Sequence, residues 1–259
     1  AWSGLFPKGD FEWTLRMRLD DPAVFFAPSD TSGGLLEEKT ELLTVHPERH
    51  LAETAEAEQL LPVVLNQFEA WGIRLPEDVN DFNALSQRIE PDFLLMKQSS
   101  QHLLVASVCF PSSWEPARWI GEPLTAIHEV VPRLNPQIGP MIDRFLSQLK
   151  PGKAYRRANW SLTHGNELNF HPKLKRPPID ANTPVDEVYL RLEHQIFTAL
   201  PGAILMGIHI EPVSLISLKA YPELWQHLLQ KLETMPEDVA RYKNLHRGLA
   251  TIVQQMGQF

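Results

Sequence analysis

The chain has 259 residues, of which 43% are hydrophobic, 9% aromatic and 22% charged, enough to bury one large core in one or two domains. A net charge of -8 and a pI near 5.7 exclude a nucleic-acid partner as the first expectation, because phosphate binding needs a concentrated cationic surface. A single cysteine, Cys109, rules out an intrachain disulfide, a four-cysteine zinc site and a cysteine-held iron–sulfur cluster, and fits a reducing cytoplasm. The one basic cluster, Lys173, Lys175 and Arg176, reads as a solvated loop or a docking patch for a redox partner. No 18-residue apolar run occurs, and AWSGLFPKGDFEW lacks a basic start with an apolar core, so neither a membrane span nor a signal peptide is expected.

Residues 1–34 read as an irregular arm laid over the core by Trp2, Phe6, Trp13, Phe25 and Phe26, with brief strand-like alternation at Leu15, Met17 and Leu19. Leu35 to Leu43 suits either a strand or a helix. Pro47 to Gly72 shows helical spacing of Leu51, Ala55, Leu60, Val64, Leu65 and Phe68, with Pro62 expected to kink or divide it. A short helix with an acidic first turn is expected within Leu75 to Ile89. Asp92–Lys97 and His102–Phe110 read as a hairpin of buried strands, with Cys109 as a small buried hydrophobe. A helical stretch follows, ending at Pro151-Gly152 as a helix stop should. Strands are then expected over Ala154–Leu162, Val188–Leu200 and Ala203–Ile210, with a Pro-rich polar loop, Asn166 to Val185, before the second of them. Two C-terminal helices, about Tyr221 to Met235 and Glu237 to Met256, complete the chain. The expectation is an α+β fold built on a five-stranded antiparallel sheet. Residues 1–90 form an arm and helices, 91–218 the core and 219–259 the last helices, together one compact unit.

The stretch from Trp114 to Pro172 concentrates Trp, His, Arg and Asn beyond what packing requires. His128 lies beside Ile127, Val130 and Val131, and its imidazole is either a hydrogen-bonded core group or an axial ligand to iron. His171 and His164 are rivals for that role, with a Cys109 thiolate as a further one. Arg157 and Asn159 share one strand face, as do Arg191, Glu193 and Gln195 on a second strand. Such rows are usually the solvated side of a sheet, and no His-Glu-x-x-His spacing supports a zinc enzyme.

Four motifs in order carry a resemblance: Trp114 to Pro132 (Ile-Gly-x-x-Leu-x-x-Ile-His-x-x-Val-Pro after a tryptophan), Ile138 to Phe145, Arg157-Ala158-Asn159-Trp160, and Leu190 to Pro201. They resemble the haem-dependent oxidative N-demethylase alpha subunits (dimethylamine monooxygenase haem subunits), and the likeness extends more weakly back to about residue 10. It implies a PAS-like core with haem b held by His128 as the metal ligand and by Arg157, Asn159, Trp160 and His171, the arginines Arg157 and Arg191 serving as propionate partners. It further implies a catalytic group of Glu193, Arg191, Gln195 and His209, O2 as co-substrate, a small secondary amine as substrate, and a separate flavin and iron–sulfur reductase chain. No flavin or iron–sulfur cluster is expected in this chain, which has no Gly-x-Gly-x-x-Gly fingerprint. One departure stands out: Gly207-Ile208-His209-Ile210-Glu211 replaces a family pattern that carries an arginine, and His209 is expected to take over its contact or to mark a changed site. A haem sensor without catalysis and a haem-free binding module remain the competing readings.

Overall fold

The structure, a computed structural model, describes residues 5–29 and 32–258; Trp2 of the expected arm contacts lies outside them. Helix α1 (Pro22–Phe26) begins where the Asp21 carboxylate accepts from the Ala23 N–H at 2.9 Å. The ambiguous Leu35–Leu43 segment is helical, inside α2 (Ser32–Val45). The region 47–72 is not one kinked helix. It divides into α3 (Pro47–His50), a three-residue strand, a 3-10 turn over 55–60 and α4 (Leu61–Ala70). Pro62 sits in the first turn of α4, where a missing N–H costs nothing, so it starts a helix instead of kinking one. Helix α5 (Phe82–Ser86) is capped by Asp81, which accepts from Ala84 N–H at 2.6 Å.

Seven strands form one antiparallel sheet in the order β1-β5-β6-β7-β3-β4-β2. They are β1 (Arg18–Asp20), β2 (Leu51–Glu53), β3 (Asp92–Lys97), β4 (Leu103–Ser107), β5 (Ala154–His164), β6 (Val188–Leu200) and β7 (Ala203–Ser214). The five expected strands are contiguous in its middle. The expectation of five fails at the edges, where β1 and β2 add one strand each; with three residues apiece they are too short for alternation to reveal.

Helices α6 (Pro116–Trp119), α7 (Leu124–Glu129) and α8 (Leu134–Ser147) cover one face through Ile138, Ile142 and Leu146 against Phe197, Ile204 and Met96. The opposite face meets α1, α4 and α5 through Phe26, Phe68 and Phe82. Gly207 is what lets α1 come so close: a Cβ there would lie 2.6 Å from the Phe26 ring. Three C-terminal helices, α9 (Pro222–Glu233), α10 (Glu237–Tyr242) and α11 (Leu249–Met256), pack on Leu190 and Leu192. The last expected helix is therefore broken, and Asn244 in the left-handed region (φ 57) marks the break.

Residues 5–17 carry no helix or strand. Lys231 Nζ donates to the carbonyls of Gly9 (3.1 Å) and Asp10 (2.8 Å), and Trp13 Nε1 donates to the Pro132 carbonyl at 2.8 Å. The arm thus straps the C-terminal helices to the entrance of α8. Among the described residues no helix is long and apolar enough to cross a membrane.

Candidate functional site

A cavity of about 820 Å³ opens between the α6 segment, β5, β6 and the loop after β5, within the range of cofactor and substrate pockets. Trp114, Trp119, Trp160, Phe170, Glu193 and Lys243 are among the residues on its wall. Antiparallel register places Arg157 opposite Gln195, Asn159 opposite Glu193 and Ser161 opposite Arg191. Partners in register point to the same side, so the two expected polar rows merge into one patch.

Glu193 is the fixed point of that patch. Its Oε1 accepts from Ser112 Oγ at 2.6 Å, and its Oε2 accepts from Asn159 Nδ2 at 3.2 Å and Gln195 Nε2 at 3.1 Å. Three donors aim the carboxylate while leaving it half-buried on the wall. Arg191, 1% exposed, supports it from behind: Nε donates to Ser112 Oγ at 2.8 Å, one terminal nitrogen to the Phe110 carbonyl at 2.7 Å and the other to the Glu167 carbonyl at 3.4 Å, while its guanidinium stacks on Phe170. Its donors point into protein, which leaves it a positioning group for Glu193. Behind it again, the fully buried Lys39 of α2 forms an ion pair with Asp92 (3.3 Å), whose Oδ2 accepts from Phe110 N–H at 2.8 Å.

Arg157 differs. Its Nε is buried without a hydrogen-bond partner; burial lowers its pKa, and attraction to Glu193 opposes that. An arginine stays charged even so, and this one lies behind the cavity and not among the residues on its wall.

Two imidazoles each keep at least one ring nitrogen without a hydrogen bond. His128, in the last turn of α7, is half-buried, and burial, aided by Arg157, pushes its pKa down to about 4 with no hydrogen bond contributing. It is not itself on the cavity wall, but Val130, two residues on, is. His171 is on the wall and 2% exposed. Its Nδ1 accepts from Lys173 N–H at 3.2 Å, and its Nε2 is buried without a hydrogen bond, 3.8 Å from Glu115. Burial and the neighbouring His50 lower its pKa. His164, by contrast, is engaged with Glu187 at 3.0 Å. The Cys109 thiol is fully buried and its pKa is pushed far up by desolvation, so it presents no thiolate.

His209 is the correction. It stands opposite His194, one residue out of phase with Ile210 opposite Glu193, so its side chain leaves the other face of the sheet. There it binds the Phe25 carbonyl through Nε2 at 2.9 Å and packs on the Phe25 ring. It does not join Glu193, and its contacts bear on how α1 docks. Trp160 also alternates away from Asn159, yet it reaches the cavity around the edge of β5, since β1 covers only Ala154 to Arg156 of that strand.

Sequence reasoning missed Ser112 and Lys243. Ser112 reaches Glu193 only through the fold, and no local signal marks it. Lys243 follows α10 and projects onto the β5 edge, where Nζ donates to the Trp160 carbonyl at 2.7 Å; foreseeing it required foreseeing the helix break.

The donor set fits a haem. A neutral His128 with no hydrogen bond suits an iron whose other ligands come from a macrocycle. His171, whose Nδ1 accepts from Lys173 and whose Nε2 therefore carries the ring proton, would have to give up that bond. The unpaired Arg157 suits a carboxylate, and the indole-rich wall suits a flat apolar ring. Among the described residues no three His, Cys, Asp or Glu cluster to hold a bare metal ion. The fold and site thus define an α+β protein with an aromatic, arginine-bearing cavity suited to a cofactor. The chain belongs to the haem-dependent oxidative N-demethylase, alpha subunit-like family, whose model matches residues 38–253. That description supports haem dependence and oxidative N-demethylation, and it names one subunit of a larger assembly.

Proposed function

We propose that this chain is the haem-bearing subunit of an oxidative N-demethylase acting on a small secondary amine of the dimethylamine type. The observation that carries this reading is Glu193, a carboxylate fixed by three donors on the wall of a cavity that fits haem, in a chain of that family. Bound haem b supplies the O2-dependent oxidation that turns an N-methyl group into formaldehyde and leaves a primary amine. The protein's part is different. A secondary amine arrives protonated near neutral pH; Glu193 attracts the ammonium and accepts its proton, and Asn159 and Gln195 keep the carboxylate aimed. His128 is the proposed iron ligand, with His171 on the wall as its rival, and Arg157 pairs with a propionate. The succession of β3, β4, helices α6 to α8, then β5, β6 and β7 supports a PAS-like core. Electrons come from a separate flavin and iron–sulfur reductase chain in the cytoplasm; NADPH-driven turnover by this chain alone would overturn that part.

The test is an absorption spectrum after haem addition, oxidised and reduced, for the wild type and His128→Ala. A strong Soret band that shifts with dimethylamine and is altered in the variant supports both cofactor and ligand. No Soret band sinks the haem assignment. An unchanged band in the variant moves the ligand to His171.

A further inference from the structure

The ammonium of Lys243 sits in a box. Its Nζ lies 5.1 Å from the centre of the Trp13 ring and 5.2 Å from that of Trp160, and it donates to the Trp160 carbonyl at 2.7 Å. Glu193 attracts it, Arg157 repels it, and desolvation lowers its pKa to about 8. Two indole faces, one carbonyl and a nearby carboxylate are the chemistry that recognises an alkylammonium ion. The box does not depend on its occupant. Trp13 is anchored by its Nε1 bond to Pro132 and its N–H bond to Gln137, Phe6 meets Trp160 edge-on at 5.2 Å, and Phe11 packs on both indoles.

We infer that Trp13, the Trp160 ring and the Trp160 carbonyl form an alkylammonium-binding subsite at the rim of the Glu193 cavity, and that Lys243 occupies it as a tethered competitor of incoming amines. This rests on the amine-oxidising reading and adds to it a place where the ammonium docks and a residue that it must displace. Trp13 comes from the arm and Trp160 from the sheet, so the subsite exists only while the arm is strapped down. Lys243 lies beside the left-handed Asn244 at the end of α10, a position from which the side chain can withdraw without unwinding a helix.

The experiment uses the whole 259-residue chain prepared without haem. Tryptophan fluorescence is titrated with dimethylammonium chloride against sodium chloride at equal ionic strength. A tethered ammonium competes at an effective concentration on the millimolar scale, so Lys243→Ala binds about tenfold or more tightly than the wild type. The added substitution Trp13→Ala abolishes the saturable change. No saturable change in folded Lys243→Ala, or equal binding with Trp13→Ala added, overturns the inference. If Lys243→Ala does not fold, wild-type protein is acetylated in tetramethylammonium or sodium chloride and Lys243 modification is read by mass spectrometry. Faster acetylation with the organic cation supports displacement, and an equal rate refutes it. Because no haem is present, failure here leaves the Soret result standing, and absence of a Soret band leaves this subsite standing.

Discussion

Arg157 and Arg191 share a residue type, a sheet face and a neighbour in Glu193, yet they do opposite work. Arg191 is buried with its nitrogens bonded to Ser112, Phe110 and Glu167; Arg157 keeps a buried nitrogen with no partner. Charge does not separate them, and burial does so only in part, Arg191 being buried and Arg157 half-buried. What separates them further is unspent hydrogen-bonding capacity, which costs stability and which the proposed propionate would use.

The sharpest way to break this comparison is to delete both arginines in turn. Arg191→Met strands the buried Phe110 carbonyl and removes the donor that holds Ser112 against Glu193, and it costs about 3 kcal/mol in denaturant unfolding, whereas Arg157→Met costs less than about 1 kcal/mol. Haem affinity inverts the order, with Arg157→Met binding markedly weaker while its fold is intact. Equal unfolding losses would dissolve the distinction. Glu193→Gln comes next: it retains partners for Asn159 and Ser112 and loses under about 1 kcal/mol, but the dimethylamine-induced Soret shift falls at least about tenfold in affinity. A shift of wild-type strength in that variant would remove Glu193 from amine binding.

The smallest effect is in pH. The pKa of His128 is lowered from 6.5 to about 4. Between those values the unfolded chain binds more protons than the folded one, so stability rises with pH across this window and its cost grows as pH falls from 6.5 towards 4. His128→Ala flattens that slope in urea unfolding at stepped pH. The slope is flattened only in part, because His50 and His171 are lowered too. An unchanged slope would mean that His128 titrates as a solvated histidine.

Much of the central sheet was legible because its strands are long enough for alternation to register. Arg157 with Asn159, and Arg191 with Glu193 and Gln195, were placed on common faces by a period of two, and the register then joined them. The same period condemned His209, whose phase relative to Glu193 depends on how β7 pairs with β6, a fact of register that a single strand does not contain. β2 was hidden inside a segment with helical spacing, since Leu51, Ala52 and Glu53 take their conformation from pairing with β4. Ser112 and Lys243 lie in irregular stretches, where no periodicity says which way a side chain will turn.

The links Lys39–Asp92, Asp92–Phe110, Phe110–Arg191, Arg191–Ser112 and Ser112–Glu193 form one unbroken series. It starts on α2, a helix that contributes nothing to the cavity wall. The carboxylate that faces the pocket is thus tied, through its supports, to a buried ion pair: without the Lys39 ammonium, Asp92, itself on the cavity wall, would be left as an unpaired buried charge.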